Sequence, residues 1–333
     1  MMKKRNMLVS GLVFLAAAAL LFAPAAMAKN IVIKVGHGHT ATHSYQLGLE
    51  RSAQAIKEAT NGRITLKFYP SAQLGNERQM QESLTTGTLE MTITGLANLY
   101  DPAFALFDFP FLYDNRTQIK NVMYSDLMKN MGQGLIKKGL RIIGLMEVGF
   151  RDVTSNKPIN TPADLKGFKI RTPESPAQIE CFKAMGAMPT PMSFSELYGA
   201  LQQGVVDGQE NPLENIYNGK LYEVQKYVNL TKHIYNFAYV FISEKFWKTL
   251  SQEDQNLIAS EVKKGCLWQI DYLKEKEADY ADKLRAKGMT FVEVDRNLFR
   301  EAAMGAYHSD FVEKLEPRSS EIIKQIRAIV SKY

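Results

Sequence analysis

Residues 168–176 read FKIRTPESP, and this stretch combines the end of a strand with the start of a helix. Its first three residues have strand character, and Ser175-Pro176 has the form of an N-cap followed by a proline at the first helical position. Arg171 lies between them. A guanidinium at the carboxyl end of a strand, beside a helix N-terminus, forms a concave positive site where open α/β sheets bind ligands. The stretch therefore predicts an α/β fold with a carboxylate site at Arg171, and a structural salt bridge from Arg171 to an acid is the alternative.

The alternation of strand and helix extends over most of the chain. From Asn30 onwards the segments NIVIKVG, RITLKFYP and TLEMTITG have strand patterns, while HSYQLGLERSAQAIKEATNG and NERQMQESLTTG have helix patterns. This order is typical of an α/β protein. Residues 83–91 (SLTTGTLEM) and 200–208 (ALQQGVVDG) each join a helix end, a glycine and a short strand. Their similarity indicates two similarly built lobes, and 333 residues exceed the usual size of one compact core.

The C-terminal third of the chain has a different pattern. Helix-forming residues run from 251 to 287, with Glu253 and Asp254 in the first turn. A helix of about 36 residues with a rise of about 1.5 Å per residue is roughly 54 Å long, so we expect it to cross both lobes. The segments predicted after it are a strand, MTFVEV (289–294), and two helices near 297–315 and 319–331.

The first 28 residues have the pattern of a secretory signal peptide. Lys3, Lys4 and Arg5 form a positive segment, residues 8–22 are apolar, and Ala26-Met27-Ala28 is a small-x-small cleavage site. Because the apolar run is short for a membrane span, we expect cleavage after Ala28 rather than an anchor. The mature protein is therefore predicted to be exported.

Charge and cysteine content argue against several classes of protein. The formal net charge of +6 includes the cations of the leader, and no basic stripe interleaved with aromatic residues follows, so nucleic-acid binding is not expected. Cys181 and Cys266 are the only two cysteines, and they are either small buried hydrophobes or a disulfide. Two cysteines and five scattered histidines have no metal-site spacing.

Motifs for enzyme chemistry are missing from the sequence. The loop VGHGHTA (35–41) has the glycine spacing of a dinucleotide fingerprint, but the next strand, ITLKFYP, ends without the required acid. No G-x-S-x-G or H-E-x-x-H motif occurs. No cofactor is therefore predicted, and binding is the remaining function. His37, His39 and His43 of this loop are either ligand contacts or capping and surface residues.

Three stretches resemble the solute-binding proteins of tripartite ATP-independent periplasmic (TRAP) transporters, of the C4-dicarboxylate-binding type. They are GRITLKFYPSAQLGNERQM (62–80), FRDVTSNKPINTPADLKGFKIRTPES (150–175) and GAMPTPMSFSELYGALQQGVVDGQENP (186–212), and the resemblance covers essentially the whole chain after the leader. It implies a periplasmic protein without catalytic activity. Such a protein closes around an organic acid and delivers it to a membrane permease that uses a cation gradient.

The fold that the resemblance implies is a two-lobed α/β periplasmic binding protein fold with a long inter-lobe helix. The lobes are expected to be discontinuous in sequence. Lobe I would comprise residues 30–150 with 238–276, and lobe II residues 151–237 with 277–333. No low-complexity linker occurs in the sequence, so strands and the long helix are expected to join the lobes.

The resemblance also implies roles for individual residues of the second lobe. Arg171 matches the arginine that clamps the ligand carboxylate in this family. Arg151, in FRDVTSN, matches a second arginine that often reaches the ligand. Asn211, in VDGQENP, is implied as a polar contact, and Phe194, in MSFSE, as a wall of the site.

In the other lobe, the implied contacts are less specific. Glu77 of QLGNE and the loop of residues 37–40, with His37 and His39, lie where first-lobe contacts usually occur. Ser193 and Glu196 have the spacing of a capping box, so a structural role is expected for these two.

Glu174 bears on the choice of substrate. Sialic-acid binders that resemble this chain tend to carry asparagine three residues after the clamping arginine, where this chain has Glu174. An acidic acceptor there repels a second carboxylate but accepts hydrogen bonds from sugar hydroxyls. The substrate is thus expected to be a sugar acid such as a hexuronate. The alternatives are a C4-dicarboxylate or another monocarboxylate, or, in a different class, a secreted enzyme acting on sugar acids.

Overall fold

The computed structural model describes residues 30–333, and the predicted signal peptide with its cleavage site lies outside them. Residues 30–333 form nine β-strands and twelve α-helices, with short 3₁₀ helices between some of them. The strands are β1 (Ile31–His37), β2 (Ile64–Tyr69), β3 (Met91–Thr94), β4 (Leu140–Ser155), β5 (Lys169–Thr172), β6 (Met188–Pro191), β7 (Gly208–Asn211), β8 (Tyr227–Ser243) and β9 (Thr290–Val292). The helices are α1 (Ser44–Ala59), α2 (Glu77–Thr86), α3 (Arg116–Met123), α4 (Asp126–Ile136), α5 (Pro176–Ala184), α6 (Phe194–Gln202), α7 (Leu213–Asn218), α8 (Glu244–Trp247), α9 (Gln252–Ala286), α10 (Arg296–Ala303), α11 (Asp310–Lys314) and α12 (Arg318–Val330).

One continuous path of strands runs through both halves of the molecule. The order is β2-β1-β3-β8-β4-β7-β5-β6, and β9 pairs with β8. In one half β1 lies parallel to β2 and β3, and in the other half β5 lies parallel to β6 and β7. The long antiparallel strands β4 and β8 connect the two sets. The α/β class predicted from the alternating pattern is confirmed.

The pairing of β4 with β8 is interrupted near the middle of both strands. The register shifts between Glu147 and Gly149 and again between Arg151 and Val153. Gly149 has a φ of 106°, which a residue with a side chain rarely adopts. Such irregularities bend and twist a strand pair locally. Here they lie between the two sets of parallel strands.

The long C-terminal helix is present as predicted. Ser251 caps α9 by accepting a hydrogen bond from the backbone N–H of Asp254, and the helix continues for 35 residues. It packs on α1 in one half, on β4 in the middle and on α7 in the other half. No helix among residues 30–333 is long and apolar enough to cross a membrane.

Several clusters of buried side chains form the core. One cluster joins β1, α1 and α9 and includes Ile33 and Val262. Another joins β5, α5 and α10 and includes Phe182 and Phe299. A third joins α2 and α12 with Ala177 of α5, so the two halves share part of the core. The two cysteines are buried in different clusters and form no disulfide. This agrees with the prediction that they are small buried hydrophobic residues.

The end of the chain differs from the sequence-based expectations in two ways. The predicted helix near 297–315 is broken into α10, a 3₁₀ helix (Met304–His308) and α11. The last helix, α12, packs against α3, α4 and the 3₁₀ helix Pro102–Asp108, which lie in the segment expected to form lobe I. We therefore propose that residues 318–330 belong to lobe I.

Candidate ligand-binding site

A cleft lies between the two halves, at the carboxyl ends of the parallel strands. It contains about 640 Å³ of empty space, part of which is open to solvent. The lining residues are Gly38, His39, Tyr45, Glu77, Ile93, Thr94, Gly95, Leu96, Asp108, Val148, Arg151, Arg171, Pro173, Gln178, Met192, Ser193, Phe194, Asn211, Asn215 and Asn236. Six of the eight contacts expected from the sequence are among them.

Strand register brings the second-lobe residues together. β7 lies between β4 and β5, with Asn211 opposite Asp152 and Gln209 opposite Arg171. Arg151 precedes Asp152, so both arginines and Asn211 come from three neighbouring strands. Positions that are distant in sequence therefore face the same cavity.

Arg171 is buried, with 2% of its surface exposed. Its Nε and Nη2 donate to the carbonyl oxygen of Met192 at 3.1 and 2.7 Å. Within residues 30–333, no carboxylate oxygen lies within 4.0 Å of its guanidinium. Burial lowers the pKa of Arg171 to about 10, against the opposing effects of Glu210 and Glu77. The structural salt bridge considered as the alternative is thus not seen in the described part of the chain, and a buried cation faces the cavity.

Arg151 is also buried but is held by an acid. It donates two hydrogen bonds to the carboxylate of Glu210, the second at 2.9 Å from Nη2, and one to Asn211 Oδ1 at 3.0 Å. His233 Nε2 lies 3.1 Å from the same carboxylate. Burial alone would raise the pKa of Glu210, but Arg151 and His233 outweigh it and lower the pKa. Arg151 therefore faces the cavity with its charge largely balanced.

The first half contributes Glu77 and His39 to the opposite wall. Glu77 begins α2, and burial raises the pKa of its carboxyl. His39 stacks on His43, and its ring centroid lies 4.7 Å from that of Phe194 in the other half. Burial and neighbouring cations lower the pKa of His39 well below its usual value, so its ring is neutral at pH 7. His39 and Phe194 thus close the cleft with an aromatic contact.

Two of the expected contacts lie outside the lining. His37 is fully buried behind the cavity, with Nε2 3.1 Å from Gln46 Oε1, and burial lowers its pKa to about 4. Glu174 is not among the lining residues, and its carboxylate pairs with Arg78 of the other half at 3.2 Å. A role of Glu174 in binding ligand hydroxyls therefore stays a prediction.

The capping residues behave as the sequence indicated, with one exception. Ser193 and Glu196 form the expected capping box at the start of α6. Ser175 occupies the N-cap position of α5, but its hydroxyl makes no capping hydrogen bond and is buried without a partner within residues 30–333.

Within residues 30–333, no group of three His, Cys, Asp or Glu side chains could hold a metal ion.

Sequence reasoning missed several polar lining residues, of which Asp108, Gln178 and Asn236 matter most. Asp108 had a detectable signal, since it is an acid inside the apolar run FALFDFPFL. Gln178 lies in the first turns of α5 and Asn236 in the middle of β8, and neither position is marked by a motif. Such amides reach the cleft only because the folded chain places them there, so the sequence alone does not identify them.

Polar contacts also join the two halves beside the cavity. His43 Nε2 lies 2.8 Å from Asn215 Oδ1. Ser44 donates from its backbone N–H and its hydroxyl to the Glu214 carboxylate at 2.9 and 2.7 Å. Together with the His39 contact, these bonds hold the cleft closed.

Comparison with known proteins gives a consistent result. Residues 35–314 match the family model described as bacterial extracellular solute-binding protein, family 7. A solute-binding protein of Roseobacter denitrificans is 36% identical over 312 residues, covering 93% of this chain and 96% of that protein. The crystal structure of that protein, a TRAP periplasmic solute-binding protein, contains bound L-galactonate. It aligns with the present structure with a TM-score of 0.84 at 34% identity, covering 88% of this chain and 99% of that chain.

Two further relatives carry names that state a ligand. The sialic acid-binding periplasmic protein of Vibrio cholerae is 37% identical over 258 residues, covering 77% of this chain and 80% of that protein. The 2,3-diketo-L-gulonate-binding periplasmic protein of Escherichia coli is 31% identical over 298 residues, covering 88% of this chain and 90% of that protein.

Proposed function

The chain belongs to family 7 of the bacterial extracellular solute-binding proteins, and we propose that it captures a sugar acid in its cleft and delivers it to a TRAP membrane permease. Members of this family bind solutes and are not enzymes, and the named relatives are periplasmic. For this chain, export through the leader and cleavage after Ala28 are part of the proposal.

The observation that carries the proposal is the buried guanidinium of Arg171. An unpaired charge in a protein interior is costly, and a carboxylate that enters the cleft supplies the missing partner. The planar fork of an arginine bonds a carboxylate in two parallel hydrogen bonds. Among residues 30–333, Arg151 is largely balanced by Glu210, whereas Arg171 has no acidic partner, so its charge matches an acid with one carboxylate.

Support for a sugar acid comes from the relatives and from the lining. L-galactonate, sialic acid and 2,3-diketo-L-gulonate are all hydroxylated acids with one carboxylate, and they are the ligands of the three relatives. The lining adds amide and carboxyl groups to the arginines, and hydroxyls can bond to such groups. A hexuronate is one candidate within this class, and a C4-dicarboxylate is the alternative.

A thermal-shift screen tests the class of ligand. We expect L-galactonate, D-galacturonate, sialic acid or 2,3-diketo-L-gulonate to raise the melting temperature, because a ligand at about 100 times its Kd adds about 2.7 kcal/mol to the stability of the folded state. The ligand should be recovered unchanged after incubation, since a binding protein does not turn it over. A response to succinate or malate alone would contradict the sugar-acid proposal, and turnover would favour the enzyme alternative.

Substitution of Arg171 tests the site. Arg171→Ala should weaken the responding acid by on the order of 10² to 10³ in Kd, because it leaves a buried carboxylate unpaired at a cost of about 3 to 5 kcal/mol. Arg171→Lys should keep only part of the affinity, since a point charge cannot make the two parallel bonds. Arg63→Ala is the matched control, because Arg63 pairs with Asp254 away from the cleft. Affinity of Arg171→Ala within about threefold of wild type would exclude Arg171 as the clamp.

A further inference from the structure

Asp108 has an unusual position for an acid. It is the last residue of the 3₁₀ helix Pro102–Asp108, and the other residues of that helix from Ala103 onwards are buried, so its backbone is firmly placed. Only 6% of Asp108 is exposed, and the residue lines the cleft together with Arg151 and Asn211. Neither the sequence patterns nor the family resemblance predicted a role for Asp108.

Asp108 also differs from the other buried acids of residues 30–333 in lacking a hydrogen-bond donor for its carboxyl. Each of the other acids accepts a hydrogen bond from a cationic or polar group. The pairs are Asp101 with Arg318, Glu147 with Arg116, Asp152 with the backbone of Lys232, Glu210 with Arg151, Glu214 with Ser44, Glu244 with Arg141 and Asp254 with Arg63. Within the same residues, the carboxyl of Asp108 has no such donor. A buried polar group without a partner is costly, so an unpaired carboxyl in a ligand cleft indicates that the ligand completes it.

We propose that Asp108 is a specificity-determining residue whose carboxyl hydrogen-bonds a hydroxyl of the bound sugar acid. The inference rests on the proposed function, and it adds the group that recognises the hydroxylated part of the ligand. Arg171 then binds the carboxylate end, and Asp108 binds a hydroxyl in the same cavity. A plain dicarboxylate has no hydroxyl to satisfy Asp108.

The protonation state of Asp108 suits this role. Burial raises its pKa to about 8, although Arg151 opposes the shift, so the carboxyl is neutral at pH 7. A neutral carboxyl both donates and accepts a hydrogen bond, as a hydroxyl does. It also avoids repelling the carboxylate of the ligand, which an ionised Asp108 would do in a water-poor cavity.

Two amides extend the same pattern. Gln178 Oε1 and Asn236 Oδ1 are buried, line the cleft and have no hydrogen-bond partner within residues 30–333. Both oxygens are acceptors, and the arginines supply only donors to a ligand. A ligand that satisfies them must carry hydrogen-bond donors of its own. The hydroxyls of a sugar acid are such donors, whereas ionised succinate has none.

The groups facing Asp108 keep their charge between pH 7 and 9. Glu210 remains an anion because Arg151 and His233 lower its pKa against the effect of burial. The pKa of Arg171 lies near 10, and the pKa of His39 is well below its usual value. The surrounding tyrosines all have pKa values raised by burial, and they are Tyr45, Tyr113 and Tyr239. Glu77 also lines the cleft, and burial raises its pKa, so the Asp108 variants must show which of the two acids causes the pH dependence of binding.

Calorimetric titration with L-galactonate and D-galacturonate tests the proposal. At pH 7 we expect Asp108→Ala to weaken the acid that binds by at least about tenfold, and Asp108→Asn by less, because an amide still bonds a hydroxyl. For wild type, the Kd should rise about tenfold from pH 7 to pH 9, since ionisation of Asp108 above pH 8 removes the binding-competent form. Both substitutions should abolish that rise. Removing an unpaired carboxyl should not lower the melting temperature of the empty protein, so the variants are expected to fold.

Asp152→Asn is the matched control. Asp152 is another buried acid, with a pKa raised by burial to about 7, but it does not line the cleft. This variant should keep the wild-type rise in Kd. The proposal is overturned if Asp108→Ala binds within threefold of wild type, if wild-type Kd is constant from pH 7 to 9, or if Asp152→Asn alone abolishes the rise. If wild type binds neither sugar acid and binds succinate, the sugar-acid function itself fails, and this inference fails with it.

Discussion

The two arginines of the cleft have different environments, and this difference should be measurable in the empty protein. Arg151 balances Glu210 and bonds Asn211, whereas Arg171 bonds a carbonyl oxygen and has no acid within 4.0 Å among residues 30–333. Removal of one partner of a buried ion pair costs about 3 to 5 kcal/mol, because the other charge stays buried and unpaired. Burial of an unpaired cation is itself unfavourable. Arg151 is thus expected to stabilise the fold, and Arg171 to serve the ligand.

We predict that Arg151→Ala lowers the melting temperature of the ligand-free protein and that Arg171→Ala leaves it unchanged or raises it. Adding Glu210→Gln to Arg151→Ala should recover part of the loss, since the stranded charge is removed. Thermal unfolding without ligand measures both effects. An equal loss for the two single substitutions would show that Arg171 has a structural partner in solution.

At the level of secondary-structure elements, the crossing of α1 and α9 depends on two glycines. A Cβ at Gly265 would overlap the carbonyl oxygen of Gly48 and the hydroxyl of Ser52. The carbonyl oxygen belongs to backbone and cannot move aside. α1 also carries Ser44, which bonds Glu214 of the other half, so its position matters for the contact between the halves.

Gly265→Ala should therefore lower the free energy of unfolding by about 1 to 3 kcal/mol, as expected for overpacking. Gly134→Ala is the control, because a Cβ there meets nothing within 4 Å and the residue lies within α4. That substitution should stabilise the protein by about 0.5 to 1 kcal/mol, the usual gain of alanine over glycine in a helix. Denaturant unfolding compares the two. No loss for Gly265→Ala would mean that the helices separate easily.

At the level of the whole molecule, the described structure is a closed form of a two-lobed protein. Bonds between the halves surround the cleft, including His43 with Asn215 and Arg78 with Glu174. The Arg78–Glu174 pair is partly exposed, and such pairs contribute little, about 0 to 1 kcal/mol. The bonds of His43 and Ser44 are buried, however, and favour the closed form. We propose that the free protein also samples an open form, with the bend at the irregular middle of β4 and β8.

Solution scattering with and without a bound sugar acid tests this motion. We predict a smaller radius of gyration when the responding acid is bound, because it bridges the two halves. Arg171→Ala at the same concentration of acid is the control, and its radius should stay at the ligand-free value. A radius that does not change at saturating ligand would contradict closure.

Much of the fold could be read from the sequence because its signals are local. Helix periodicity and the cap at Ser251 predicted α9, and strand patterns with glycine stops predicted the α/β order. The prediction of one helix over residues 297–315 was wrong, because a 3₁₀ helix (Met304–His308) separates α10 from α11. Arg171 was found as a site candidate because its strand end and the following helix start are neighbours in the chain.

The sequence by itself determined the fold class, the long helix, the family and the choice of Arg171 as the candidate clamp. Tertiary structure alone decided which polar groups share the cleft. Arg151 and Glu210 are 59 positions apart, and only the pairing of β4 with β7 makes them partners. The same packing pairs Glu174 with Arg78 and places Asp108 in the lining of the cavity. The physical reason is that a side chain's partners are set by strand register and burial, which join distant segments and leave no local pattern in the sequence.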